Sequence, residues 1–129
     1  WGETILFSMC ILEEMQWKRT RYITSADFFH GTLELVEPGV PVFLFMGEDE
    51  NRKLDERVRA FLTRGVTGDT DINVIDTAEF AIPGLDDEFR VIVSPWILSS
   101  LITDRLAAYY ETVTKHNLKY RRYYHQFDY

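Results

Sequence analysis

Two short apolar runs, separated by an amphipathic segment, constrain the fold of this chain more than any other feature. Residues 40–46 read VPVFLFM and residues 72–76 read INVID, and runs of this length are typical of strands in a sheet covered on both faces. Between them, residues 51–64 place apolar side chains at helical spacing: Leu54, Val58, Phe61 and Leu62. Because helix and buried strand alternate, the sequence predicts an α/β fold with a parallel sheet.

The segment before these strands is predicted to be mainly helical. Residues 4–18 are apolar on nearly every side, which is typical of a buried helix. Residues 21–24 favour a short β-type segment. Ser25 then resembles an N-cap for a second helix, which is interrupted at Gly31 and resumes through residues 32–36.

The segment after the strands predicts a long helix followed by a tail. Residues 89–93 fit either a strand or a helix, and Pro95 suits the first turn of an amphipathic helix that ends near residues 116–117. Residues 118–129 form a tail that is rich in aromatic and basic side chains.

Length and order of elements indicate one domain of a longer protein. A chain of 129 residues with 46% hydrophobic content can bury one core but is too short for two. No strand precedes the first predicted helix, although a doubly wound sheet would supply one, and the chain begins with Trp1 rather than Met. We therefore expect residues 1–129 to be a single domain that is truncated at its N-terminus.

Charge and composition narrow the class of protein. The net charge of −7 argues against a nucleic-acid partner, for which a basic surface is expected. The longest uninterrupted apolar stretch, residues 40–46, is far shorter than the roughly 20 residues of a membrane span. The single cysteine, Cys10, is predicted to be a small core residue and fits a reducing compartment. These features predict a soluble cytoplasmic protein without a membrane partner.

Two basic islands stand out on this acidic chain. They could hold a small anionic ligand or contact a partner, or they could be solvated helix ends where cations favour the helix dipole. The first comprises Lys18, Arg19 and Arg21, and the second Lys115, Lys119, Arg121 and Arg122 with His116 and His125. The sequence contains no Gly-rich phosphate loop and no Cys or His pair at metal-ligand spacing, so no cofactor or metal is predicted.

Glu13 and Glu14 are candidate bases because a helix places each of them one turn after apolar residues. Glu14 follows Cys10 and Ile11, and Glu13 follows Met9 and Cys10. Apolar surroundings disfavour the charged form of a carboxylate, which suits a base near neutral pH. The alternative is that both glutamates mark where the helix emerges into water, and the pattern does not choose between them.

His30 is a second candidate for chemistry. It follows two phenylalanines and precedes Gly31, in the sequence FFHGT. A histidine in this setting can be a core residue bonded to a backbone carbonyl. It can also belong to a site, because glycine lets a ligand approach the backbone closely.

Three segments together carry a family resemblance. The helix ILEEMQW, the segment FFHGTLEL and the strand VPVFLF resemble the second lobe of SIS (sugar isomerase) phosphosugar isomerases, and the step from Glu14 to His30 matches the sixteen-residue step between the family's catalytic glutamate and histidine. Three segments are also similar in sequence to the fructoselysine-6-phosphate deglycase branch of the family: MCILEEMQW, ADFFHGTLEL and RRYYHQFDY. The resemblance covers nearly the whole chain and selects Glu14 over Glu13.

The resemblance implies a fold, a site and an activity. The fold would be a three-layer αβα doubly wound sheet of the SIS, flavodoxin-like type. Glu14 and His30 would be catalytic by acid-base proton transfer on a ketosamine 6-phosphate. Gly2 and Glu3 would remain from a ligand-facing loop that begins at Trp1, and His125 would stand where the family has an active-site lysine.

The resemblance also implies that two subunits share each site. The histidine would serve the neighbouring subunit of a homodimer or higher homo-oligomer, and a first lobe would hold the phosphate, so the fragment alone is expected to be inactive. Two departures concern Thr32, where the family usually has proline, and Ile11, where the synthase type has a helper lysine.

Two alternatives to an enzyme remain open at this point. The chain could be a non-catalytic SIS sensor that binds phosphosugars, although a sensor does not need the Glu14 and His30 pair. It could also be a receiver-type signalling domain with Asp76 as its phosphoacceptor, although the lysine and acidic partners of such a site are not evident.

Overall fold

The computed structural model describes residues 2–65 and 67–129. In chain order, the helices and strands are α1 (Gly2–Leu6), which continues as a π-helix (Phe7–Met15), two 3-10 turns (Phe28–His30 and Thr32–Leu35), β1 (Val42–Met46), α2 (Arg52–Leu62), β2 (Ile72–Asp76), a 3-10 turn (Thr77–Glu79), α3 (Asp87–Leu98), a second π-helix (Ser99–Leu106) and α4 (Ala107–Thr114). Residues 23–94 form one compact unit, and residues 2–22 together with 95–129 form another.

The unit of residues 23–94 contains the predicted parallel sheet. Strands β1 and β2 pair in parallel, with Val42 opposite Ile72 and Met46 opposite Asp76. Helix α2 connects them, which confirms the α/β prediction. The strand β1 begins after Pro41, which has no N–H for a sheet hydrogen bond, and Val42 N–H donates to the Asp71 carbonyl at 2.8 Å.

An apolar cluster between α2 and the sheet holds the segment before the strands. Its buried members are Phe28, Leu44, Met46, Val58 and Leu62. Phe28 contacts Phe29 and Phe61 edge-on, with ring centroids 5.1 Å and 5.7 Å apart, an arrangement that aromatic pairs prefer. Two consecutive phenylalanines therefore anchor the turn that ends at His30.

The first helix of the other unit departs from the predicted 3.6-residue period. In a π-helix, each N–H bonds to the carbonyl five residues earlier. Its buried side chains accordingly recur every four to five residues: Phe7, Ser8, Ile11, Leu12 and Gln16. The expectation of burial on nearly every side is wrong, because Ile5 and Met9 are 41% and 45% exposed.

Several local predictions before the strands are also wrong. Residues 21–24 form no strand. Ser25 caps no helix, since its hydroxyl lies 2.5 Å from Oδ1 of Asp55 as a hydrogen-bond donor. The predicted helix after it is replaced by two short 3-10 turns, which are separated by Gly31 at a φ of 136°.

The final helical stretch, which comprises α3, the second π-helix and α4, begins earlier than predicted. Residues 89–93 are helical, and Pro95 lies inside α3 rather than in its first turn. The acidic residues Asp87 and Glu88 occupy that first turn, where negative charge favours the helix dipole. The helix ends at Thr114 because Lys115 adopts a left-handed conformation with a φ of 58°.

The uninterrupted apolar runs of the chain are too short to cross a membrane, but the helical stretch Asp87–Thr114 is a candidate for a membrane span. It is long and apolar enough to cross a membrane by length and composition, and it alone does so in the described parts of the chain. A single such helix is weak evidence of a span, because core helices of soluble proteins pass the same test.

Candidate active site

Glu14 lies near the end of the first π-helix and forms an ion pair with the C-terminal tail. Arg121 Nε lies 2.8 Å from Glu14 Oε1, and the two side chains are 18% and 28% exposed. The π-helical spacing puts Phe7, Ile11 and Gln16 on the buried face and Glu14 at its margin. The carboxylate therefore has a cation beside it, not only the apolar surface that a 3.6-residue period predicts.

Glu13 has a different environment. Its exposed carboxylate accepts a hydrogen bond from the Thr20 hydroxyl at 2.6 Å, and that hydroxyl also lies 2.5 Å from the Ser8 hydroxyl. Glu13 thus binds the loop that follows the helix, whereas Glu14 binds the tail. The two adjacent glutamates are therefore distinguished by their contacts, whereas the sequence pattern alone does not distinguish them.

The tail is fastened to the end of this helix by several contacts within the same unit. The buried Gln16 donates to the His116 carbonyl at 2.8 Å and accepts from the Thr114 hydroxyl at 2.7 Å. The Arg122 guanidinium lies over the Trp17 ring, 4.1 Å from its centroid, in a cation–π contact. Part of the second basic island is therefore engaged inside the chain.

His30 ends a 3-10 turn and is exposed to solvent. The turn before it is fixed by Thr24, whose hydroxyl donates to Asp27 Oδ2 at 2.8 Å. Within the described residues, the imidazole has no hydrogen-bond partner. His30 and Glu14 belong to different compact units, so their pairing stays a prediction.

The structure corrects the local setting of the predicted ligand-facing loop. Gly2 and Glu3 lie in the first turn of α1, where an acidic residue favours the helix dipole, and not in a loop. Glu3 Oε2 accepts from the Thr103 hydroxyl at 3.2 Å. Trp1 lies outside the described residues. The substrate-binding roles of Gly2 and Glu3 remain predictions.

His125 lies in the exposed part of the tail. Its φ is 53°, a left-handed conformation that few non-glycine residues adopt. Its ring contacts Tyr124, with centroids 4.2 Å apart. The predicted role of His125 in substrate binding also stays a prediction.

A network of charged side chains lies at the carboxyl end of the sheet, and the sequence pattern did not predict it. Arg52 donates to both carboxylate oxygens of Asp76, at 2.9 Å and 2.7 Å, and to the Gly47 carbonyl at 2.8 Å. The hydrogen bonds from Arg52 hold the pKa of Asp76 below its usual value. Since Arg52 occupies both oxygens, Asp76 is a poor candidate for a phosphoacceptor.

A second ion pair lies in the same unit. Arg90 donates to Glu48 at 2.6 Å and 3.1 Å, and also to the Thr77 and Phe80 carbonyls. The hydrogen bonds to Glu48 raise the pKa of Arg90. Sequence separations of 24 and 42 residues hide these pairs from any local pattern. Among the described residues, no group of His, Cys, Asp and Glu side chains could hold a metal ion.

Comparisons with known proteins give the family. The chain is 31% identical over 126 residues to fructosamine deglycase FrlB of Bacillus subtilis strain 168, covering 95% of this chain and 36% of the relative. It is 36% identical over 116 residues to fructoselysine 6-phosphate deglycase of Escherichia coli strain K12, covering 88% of this chain and 31% of the relative. No protein-family profile matches the chain.

A solved structure agrees with these relatives. A proposed phosphosugar isomerase from Bacillus subtilis superposes with a TM-score of 0.86 at 29% identity, over 99% of this chain and 38% of its own. The chain is homologous to part of the SIS-type phosphosugar isomerases and deglycases. The predicted SIS family and fold are confirmed. The chain spans about a third of the length of the curated relatives that it matches.

Proposed function

We propose that this SIS-type chain supplies catalytic groups to a deglycase or isomerase acting on a ketosamine 6-phosphate such as fructoselysine 6-phosphate. The names of both curated relatives support a ketosamine as the substrate, and the name of the Escherichia coli relative supports its 6-phosphate. The observation that carries the proposal is the position of Glu14. Its carboxylate lies at the margin of the helix end, partly exposed, and an arginine holds it there.

The chemistry follows from the substrate class. In a ketosamine, the C1 protons lie between the amine and the C2 carbonyl, so a carboxylate can remove one of them. Glu14 takes the C1 proton while the C2 oxygen gains a proton from an acid, which gives an enaminol. Glu14 then returns its proton to C2 while the amine nitrogen releases its N–H proton to a base, which leaves an imine at C1. Water then cleaves the imine into glucose 6-phosphate and the free amine. In an isomerase, the same proton transfer interconverts ketose and aldose.

His30 is the proposed acid in this scheme. It assists ring opening and protonates an oxygen or the departing amine. Its solvent exposure supports a role toward a neighbouring subunit, because an exposed imidazole is accessible from outside its own chain. We further propose a cytoplasmic homo-oligomer with shared sites, without a membrane or nucleic-acid partner, in which a separate lobe binds the phosphate. The isolated chain is then inactive.

The test measures amine release by the full-length protein from fructoselysine 6-phosphate. We expect Glu14→Gln and His30→Asn each to lower kcat by about 10²- to 10⁴-fold, the usual contribution of general acid-base groups. Glu13→Gln is the matched control, because it keeps the helix and removes a carboxylate that faces Thr20; its kcat stays within about twofold of wild type.

Three outcomes separate the possibilities. Full activity of Glu14→Gln and His30→Asn would show that the assigned roles are wrong. Turnover of a phosphosugar without release of an amine would identify an isomerase. Binding of phosphosugars without turnover by the wild type would favour the sensor.

A further inference from the structure

The guanidinium of Arg121 contacts two different parts of the same unit. Its Nη1 donates to the Leu118 and Tyr120 carbonyls at 2.7 Å and 2.8 Å, so the backbone of the tail sets its position. Its Nε lies 2.8 Å from Glu14 Oε1. The side chain is therefore fixed independently of Glu14 and presents a charge to one oxygen of the carboxylate.

We infer that Arg121 is a positioning residue, which holds the Glu14 carboxylate in the orientation used for proton transfer. This inference rests on the proposed function. With Oε1 held by Arg121, Oε2 has no donor among the described residues and is the oxygen that takes the proton. A guanidinium has no acceptor and stays protonated, so it orients the base without competing for the substrate proton.

The energetic reason is the cost of ordering a flexible side chain. A partly exposed glutamate without a fixed partner populates several rotamers, so only a fraction of the molecules would hold the productive one. An ion pair formed before the substrate arrives removes this search. A small displacement of a catalytic group can cost about 10²-fold in rate, so loss of Arg121 should lower kcat more than it changes KM.

Arg122 provides a matched control. It belongs to the same tail and contacts Trp17 at the end of the helix. Among the described residues, the ion pair of Glu14 is with Arg121 and not with Arg122. A general loosening of the tail should affect both arginine variants, whereas an effect on Glu14 is specific to Arg121.

The experiment compares kcat and KM of the full-length protein for fructoselysine 6-phosphate in four variants. For Arg121→Gln, we expect kcat to fall by about 10- to 100-fold with KM within about twofold. Arg122→Gln should keep kcat within about twofold. Arg121→Lys, which retains the charge without the planar fork, should lie between Arg121→Gln and wild type. Arg121→Ala should regain kcat when guanidinium ion is added at concentrations that leave the protein folded.

Several results would overturn the inference. The first is an equal loss of kcat in Arg121→Gln and Arg122→Gln. The second is an effect of Arg121→Gln on KM alone, which would make Arg121 a substrate anchor. The third is a loss of activity in Arg121→Gln that follows a lowered melting temperature. Full activity of Arg121→Gln beside an inactive Glu14→Gln would overturn this inference alone. Full activity of Glu14→Gln would instead overturn the proposed function.

Discussion

At the scale of single residues, the Arg52–Asp76 pair is a polar contact whose contribution can be tested by pH. The pKa of Asp76 is lowered in the folded protein, so its stabilisation is present above the unfolded value near 3.8 and is lost as pH falls through the lower folded value. We expect Asp76→Asn to lower the free energy of unfolding at neutral pH by about 2 kcal/mol, the size of a hydrogen bond to a charged group. Urea unfolding of wild type and variant measures it.

The matched control for this pair uses the same arginine. Glu56 lies 3.4 Å from Arg52, one helical turn away, but its side chain is 59% exposed. Glu56→Gln should change the free energy of unfolding by less than about 0.5 kcal/mol. The Asp76→Asn difference should also shrink as pH falls below about 3.8, because the carboxylate of the unfolded wild type is then being protonated while the folded one, with its lowered pKa, is still charged. A difference that is constant over this range would contradict the assignment.

At the scale of elements, Gly31 determines how the turn that ends at His30 continues. Its φ of 136° is a conformation that L side chains rarely adopt, while a Cβ added there would meet no atom within 4 Å. Gly31→Ala should therefore cost about 1–3 kcal/mol through backbone strain alone. Gly2→Ala is the control, because Gly2 lies in α1 with equal space and alanine favours helices. Equal stability of the two variants, measured by urea unfolding, would refute this explanation.

At the same scale, some elements could be predicted from the sequence and others could not. The strands β1 and β2 were predictable because short apolar runs have few alternatives, and β2 has the predicted bounds. The π-helical period was not, because a sequence that is apolar on many sides fits periods of 3.6 and of more than 4 residues equally well. The predicted face of Glu14 depended on that period. The Arg121–Glu14 ion pair joins residues that are 107 positions apart in the chain, and no local sequence pattern predicts such a contact.

At the scale of the whole molecule, the proposed shared site makes a prediction about mixed subunits. If Glu14 of one subunit acts with His30 of the other, a dimer with Glu14→Gln in one subunit and His30→Asn in the other has one doubly altered site and one intact site. Either variant alone has no intact site. Mixing two inactive proteins should therefore restore activity.

The expected recovery is quantitative. In a random one-to-one mixture, half of the dimers are mixed and each retains one of two sites, so amine release should reach about a quarter of the wild-type rate. Co-expression of differently tagged subunits, followed by purification through both tags, gives the mixed dimer alone, which should have about half of the wild-type rate. A mixture of Glu14→Gln with Glu14→Ala is the control and should stay inactive, because every site then lacks the base. No recovery in the first mixture, with mixed dimers demonstrated by both tags, would show that Glu14 and His30 act within one subunit.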